Sequence, residues 1–508
     1  DYEEAINRIA PHRILAINRG ENMKCLKVSI VIDDEEILGR IKSKIVNKDT
    51  DSSKYVLTAI DDAYKRLIFP SLENEIRNEL TEKAEETSMV VFKENLKQLL
   101  LVAPVEHRIV LGFDPGFRTG CKLAVVDEFG QVLDTGVCYP TEPRKDTEGA
   151  KRIIKALINK HNINMIALGN GTAGRESEAF LRELISELPH KIDYVIVNEA
   201  GASVYSASPL GTKEFPDYDV ALRSAVSLAR RLQDPLAELV KIDPKAIGVG
   251  QYQHDMNQKR LGEVLGGVVE NVVNSVGVDL NTASPSLLEY VSGISSSLAQ
   301  SIVSYREKNG PFKSREELLK VNKLGPKAYE QCAGFLRIRN GYPLDNTAVH
   351  PESYHFAISL LKELKHSVDD LGSDDLKNLL KNIDINEYAT RLNVGAPTLS
   401  DIIEELIKPG RDPRKDVEVA ELRNDVIDIK DLAVGMVLKG TVRNIMDFGV
   451  FVDIGVHQDG LVHISELSNN FVKHPLDVVH INEIVKVKVI SVDVNKKRIG
   501  LSIKQANE

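Results

Sequence analysis

Between residues 435 and 504 the chain alternates apolar and polar side chains in short runs broken by Gly, Asp and Asn. The first half reads GMVLKGTVRNIMDFGVFVDIGVHQDGLVHISEL, and the second EIVKVKVISVDVNKKRIGLSIK. A period of two puts successive side chains on opposite faces of a strand, so such runs in succession predict a small β-barrel. Two rings stand out in the pattern. Phe448 precedes a Gly at a turn, and Phe451 takes the strand face opposite to Val450 and Val452. A folded domain normally hides Phe. Rings placed next to a turn on the outside of a barrel, with His463 near them, ask for a flat partner, and unpaired nucleobases are the usual one. The competing reading buries both rings in the core and makes His463 a satisfied structural imidazole.

This stretch resembles the S1 RNA-binding domain, a five-stranded barrel of the OB type. The resemblance rests on VGMVLKGTVRNI, DFGVFVDIG, GLVHISEL and the closing KRIGLSIK. Around the rings, Lys439, Arg443, Lys488 and Arg498 are the candidate phosphate contacts. Each, taken singly, also reads as a solvated surface charge.

A length of 508 residues allows three to five domains. Hydrophobic content of 42% and charged content of 28% are those of an ordinary globular chain. The formal charge of −10 argues against a wholly basic nucleic-acid coat. It leaves room for local patches, because phosphate attraction acts over about one Debye length, roughly 8 Å. The barrel itself is nearly neutral, so its affinity leans on stacking more than on charge. Cys25, Cys121, Cys138 and Cys332 are far apart in sequence, with no C-x-x-C pair and no His beside them. That pattern favours neither a zinc site nor a disulfide framework, and it fits a cytoplasmic or nuclear compartment. The sequence shows no signal peptide and no apolar run long enough to span a bilayer. The chain starts without Met inside helix-like sequence, which reads as a piece whose N-terminal part is missing.

The predicted architecture is multidomain α+β. Residues 1–106 read as mostly helical, with one strand-like patch at Cys25 to Ile32. Residues 107–235 run as a buried strand, a hairpin and then alternating helices and strands, the order of an RNase H-like α/β domain. Residues 236–276 are connecting helices. Residues 277–338 hold an internal repeat of helix, Gly-containing turn and helix, a tandem helix-hairpin-helix. Residues 339–428 are helices ending in the breaker-rich linker KPGRDPRKD, and residues 432–505 form the OB-fold β-barrel.

In this order the pieces resemble the Tex family of transcription accessory proteins. The resemblance is carried by FDPGFRTG, LGNGTAGRE, VNEAGASVYSAS, RSAVSLARRLQDPLAELVKIDPKAIGVGQYQHD, VDLNTASPSLLEYVSGI, LDNTAVHPESY and KPGRDPR, together with the S1-like barrel. It implies binding of nucleic acid, RNA especially, in transcription or its control, and a missing helix-turn-helix-like region before residue 1.

The RNase H-like segment poses a chemical question. Nuclease chemistry on this fold needs carboxylates from separate strands converging on magnesium ions that stabilise the attacking and leaving oxygens. Asp114, Glu199 and Asp219 stand at positions similar to the acids of the YqgF and RuvC-like group, with Asp217 a nearby substitute for Asp219. The structural alternatives are plain: Asp219 is a good helix N-cap, and Asp114 lies in a DPG turn. GNGTAGRE follows a strand and opens a helix, so its amides with Thr172 and Arg175 form either a phosphate cradle or an ordinary tight turn. In the second hairpin Lys323, Gly325 and Lys327 suit close approach of backbone N–H groups to a phosphate. In the first hairpin Ser295 and Ser296 stand where a second Gly is usual. His254 and Tyr205 read as structural.

Two functions therefore lead, ahead of a protein-interaction platform whose helical parts dock onto polymerase or ribosome. One is a scaffold that binds single-stranded RNA, with DNA a further candidate, needs no cofactor, and works beside the transcription or translation machinery. The other is a metal-dependent nuclease with magnesium held by Asp114, Glu199 and Asp219.

Overall fold

The structure is a computed structural model that describes residues 2–46, 50–189, 191–416, 432–454, 456, 458–480, 483–494, 496 and 498–506. The far end of the expected linker, residues 417–428, lies outside the described residues.

Four helices open the chain: α1 (Pro11–Asn22), α2 (Asp34–Ile45), α3 (Ser53–Ala63) and the long α4 (Phe69–Leu100). The patch expected as a strand at Cys25 to Ile32 is instead extended chain without regular structure. A strand needs a ladder partner, whereas here the Ile30 amide donates to Glu73 Oε1 of α4 at 2.7 Å. Leu26 and Val31, the residues that gave the patch its apolar look, are exposed.

The next unit holds β1 (Val110–Asp114), β2 (Cys121–Val126), β3 (Val132–Cys138), α5 (Thr147–His161), β4 (Met165–Gly169), α6 (Gly174–Ser186) and β5 (Asp193–Val197). It continues through α7 (Ala202–Ala207), α8 (Pro209–Glu214) and α9 (Val220–Gln233). The sheet order is β3-β2-β1-β4-β5. β1 pairs antiparallel with β2 and parallel with β4, so the hairpin lies beside the βαβ part in one sheet. Alternation along β1 sends Leu111 and Phe113 to a core with α5 and α6, and Val110 to a second core with α9. Gly112 shares that second face. A Cβ there would sit 2.1 Å from the Ala225 carbonyl oxygen, so α9 lies directly on the strand.

α10 (Pro235–Leu239) and α11 (Gln258–Val276) tie this unit to the helices. Phe92 and Leu96 of α4 share one large core with Leu261, Leu265 and Val269 of α11. That core runs on into the double hairpin, made of β6 (Val278–Asp279), α12 (Pro285–Leu288), α13 (Ser296–Asn309), α14 (Pro326–Cys332) and β7 (Leu336–Arg337). β6 and β7 pair in parallel and close it. The helices α15 (Tyr354–Glu363), α16 (Asp374–Asn382), α17 (Ile385–Arg391) and α18 (Ala396–Ile407) form a separate small core.

Arg315 joins these last two parts. It is 1% exposed. Its guanidinium donates to the carbonyls of Leu336, Val349 and Thr347 and to the Tyr354 hydroxyl at 2.6–2.8 Å. The barrel follows as β8 (Val437–Met446), β9 (Gly449–Asp453), β10 (Gly460–His463), β11 (Ile484–Asp493) and β12 (Arg498–Ser502), closed in the order β10-β12-β11-β8-β9. No helix among the described residues is long and apolar enough to cross a membrane.

Truncating Arg315 takes the guanidinium from three buried carbonyls, while the Tyr354 hydroxyl keeps Asp345. Arg315→Ala is expected to lower stability by about 3–5 kcal/mol, read as a shift of the urea midpoint without loss of the barrel's own β signal.

Candidate nucleic-acid interface

The barrel fills its interior with Val442, Ile445, Val450, Val452, Val462, Val487, Val489 and Leu501. Phe448 and Phe451 belong to none of this and lie on the outer side. Their rings meet edge to face, with centroids 6.3 Å apart and an interplanar angle of 88°. β9 and β10 press together at Gly449, where a Cβ would fall 2.4 Å from the Val462 carbonyl oxygen. The pairing sets His463 opposite Gly449, and the Ile464 amide donates to the Phe448 carbonyl at 2.9 Å. An exposed imidazole is thereby fixed beside the two rings, with Nδ1 2.9 Å from the Ser465 hydroxyl.

The rings are less open than the sequence suggests. Both are half-buried. Phe448 meets the His12 ring of α1 edge-on, centroids 5.4 Å apart. Asp447, one residue earlier, lies between His12 Nδ1 at 3.9 Å and His474 Nε2 at 3.4 Å. Burial pushes the Asp447 carboxyl up, and the two imidazoles outweigh it and hold it at about 2. Asn95 of α4 donates to Asn444 of β8 at 3.4 Å. Through these contacts the barrel docks on α1 and α4 by the same corner that carries its rings.

The basic residues divide. Lys439 and Arg498 are exposed and Lys488 is half-buried. Arg443 is held by Asp453, with Nη2 2.7 Å from Oδ2, so its charge is already partnered inside the barrel.

In the second hairpin Lys323, Gly325 and Lys327 are all exposed. Lys323 takes a positive φ of 72° at the turn, and among the described residues no atom beyond its chain neighbours stands within 4 Å of a Cβ built on Gly325. The first hairpin is different. A Cβ on Gly293 would meet Gln331 Cβ at 2.7 Å, so this glycine packs the two hairpins together. Ser296 spends its hydroxyl on Glu289, at 2.6 Å.

The three acids of the α/β unit do not form a trio. Asp219 caps α9, accepting from the Leu222 amide at 2.7 Å. Asp114 does act on Glu199. Burial raises Asp114 to about 6 against a hydrogen bond from Ser224. Burial and then the Asp114 charge raise Glu199 to about 7, against the pull of Arg231. Among the described residues no group of three or more His, Cys, Asp or Glu is placed to hold a metal ion. The donor set therefore does not fit a two-magnesium centre. Nor does the GNGTAGRE loop offer an empty cradle. A Cβ on Gly171 would fall 1.3 Å from Glu199 Oε1, so a carboxylate fills the concavity a phosphate would need.

Comparison with known proteins accounts for this assembly. Family models match residues 1–92 as Tex central region-like, 108–233 as Tex protein YqgF-like domain, 273–337 as helix-hairpin-helix motif, 342–414 as HHH domain and 431–504 as S1 RNA binding domain. The Bacillus subtilis protein YdcI is 54% identical over 99% of this chain and 70% of its own length. The transcriptional accessory protein Tex of Neisseria gonorrhoeae is 47% identical over all of this chain and 67% of its own.

The chain belongs to the Tex family.

Protein tex of Bordetella pertussis, 47% identical, is covered over 65% of its length, so the chain spans about two thirds of such relatives. With S1 and helix-hairpin-helix modules in one chain, this Tex-family member is a nucleic-acid-binding protein of the transcription accessory type. Two features of it escaped the sequence. Cys121 and Cys138, seventeen residues apart by number, face each other across β2 and β3 as free thiols. Arg231 is 4% exposed, with Nη1 on the carbonyls of Asn198 and Ala200, while its Nε and Nη2 have no hydrogen-bond partner among the described residues. An arginine inside an amphipathic helix gives no sequence signal of that burial.

The acid pair sets a pH response. Both carboxyls bind their proton more tightly in the fold than in the unfolded chain. Their stabilising effect is thus complete below the ordinary carboxyl range and is lost as pH climbs through about 6 and 7. Asp114→Asn is expected to flatten this decline and to leave the variant about 1–2 kcal/mol more stable than the parent at pH 8, checked by melting curves across pH 4–8.

Proposed function

We propose that this chain binds single-stranded RNA on the outer face of its S1 barrel, as an accessory factor in transcription. The observation that carries the reading is the placement of Phe448 and Phe451 outside the barrel core, at right angles to one another, with exposed His463 alongside. Perpendicular rings give bases two platforms of different orientation, and stacking tolerates any base. Similarity to the transcriptional accessory protein Tex of Neisseria gonorrhoeae supports the transcriptional setting. Lys439, Lys488 and Arg498 meet phosphates at short range, and Arg443 mainly braces the barrel. The second hairpin adds backbone contact through Gly325, with Lys323 and Lys327 as point charges, to RNA or DNA. The cytoplasm is the setting that fits such work, where the free thiols stay reduced. No cofactor takes part in this reading.

The nuclease alternative draws on the raised pair Asp114 and Glu199, and it lacks the third carboxylate that Asp219 spends on its helix. Incubation with RNA and with branched DNA in magnesium, beside an Asp114→Asn control, is expected to give no cleavage by either protein. Cleavage lost only in the control would reverse the choice.

Phe451→Ala is expected to weaken binding of single-stranded RNA by about 1–3 kcal/mol, the usual value of one stacked base, in a fluorescence titration. Unchanged affinity would remove the reading's main support. Lys323→Ala is expected to lower the slope of log affinity against log salt by about 1, with little preference among sequences.

A further inference from the structure

Phe471 is 95% exposed. It stands in the loop that leaves β10 after His463 and ends at the short turn Pro475–Asp477. The loop is anchored on both sides of the ring. Leu467 and Pro475 are buried, and Val472 packs against the barrel core. The Asn470 amide donates to the Ser468 hydroxyl at 3.2 Å. His474 is fixed on Asp447, the residue before Phe448, with Nε2 3.4 Å from Oδ1. Three residues of chain reach at most about 11 Å, so Phe471 is tethered beside the corner that carries Phe448.

Its sequence neighbours Asn469, Asn470 and Lys473 are exposed as well. A protein partner recognised by burial asks for a continuous apolar patch. A lone ring set among two amides and an ammonium matches a nucleotide instead. The ring takes the face of a base, the amides suit a base edge, and the ammonium suits a phosphate. The half-burial of Phe448 against α1 gives the same direction, since it narrows the track on that side and leaves the loop ring as the open one.

We infer that Phe471 is a further stacking platform for single-stranded RNA, extending the barrel's track past Phe448 and Phe451 onto the loop after β10. This rests on the RNA-binding reading given above. It adds a contact from a part of the barrel outside the strands.

The test is titration of the 508-residue chain with a labelled oligouridylate of about 12 nucleotides, within the range of OB-fold site sizes. Parent, Phe471→Ala, Phe471→Tyr and Phe451→Ala are compared. Phe471→Ala is expected to weaken binding about 5- to 150-fold with an unchanged salt slope and an unchanged melting temperature, and Phe471→Tyr to keep parental affinity. Parental affinity in Phe471→Ala overturns the inference, as does a loss that Phe471→Tyr shares in full. If Phe451→Ala alone weakens binding, only the loop platform falls. If neither alanine variant weakens it, the RNA-binding reading of the barrel falls too.

Discussion

Two strands can approach as closely as β9 and β10 do at Gly449 only if one of them carries no side chain at that point. The rest of the candidate face depends on that approach. It sets His463 opposite Gly449 and lets the Phe448 carbonyl take the Ile464 amide. It also turns the chain so that Phe448 and Phe451 fall on the outside while Val450 and Val452 point inward. A side chain at residue 449 would push β10 away, and the imidazole would leave the rings. The local chemistry of the face is thus fixed by backbone packing, with the rings themselves adding no core energy.

The same corner has a second duty. Phe448 rests on His12, Asp447 lies between two histidines, and Asn444 meets Asn95. Docking on α1 and α4 therefore covers part of one ring while leaving His463 exposed. Half-burial of both rings restricts their rotamers before any ligand arrives, and an ordered platform loses less entropy on stacking than a free one. Pre-organisation of this kind trades accessible area for a lower ordering cost.

Much of this was legible in the sequence because the signals are local. Alternation around Val450 and Val452 gives strands, GNGTAGRE gives a strand followed by a helix, and VNKLGPK gives a hairpin turn. The failures come from partners far away in the chain. Cys25 to Ile32 has the apolar content of a strand but, among the described residues, no strand to pair with, and its Ile30 amide donates to Glu73 instead. Glu199 fills the GNG turn, which no spacing rule foresees. Phe448 looked open because α1, more than four hundred residues earlier in number, is invisible to a local pattern. Asp219 has two readings, and the backbone amide of Leu222 that it accepts from supports the cap. Phe471 gives no signal in the sequence because an irregular loop has no period against which a misplaced ring stands out.

A chain with a net charge of −10 and a nearly neutral barrel gains little from long-range attraction to phosphate. Its recognition must come from contacts that act at van der Waals distance, and each of those is modest. Linking several on one scaffold changes the arithmetic. Once one module holds a strand, a second meets it at an effective concentration fixed by geometry, so avidity exceeds either affinity alone. A rigid frame serves this better than a loose one, because the span between modules is then constant. The shared core from α1 through α11 to the double hairpin, the Arg315 clamp beyond it and the docked barrel corner supply such a frame. The large helical mass of this chain is then the device that makes weak, sequence-tolerant contacts act together.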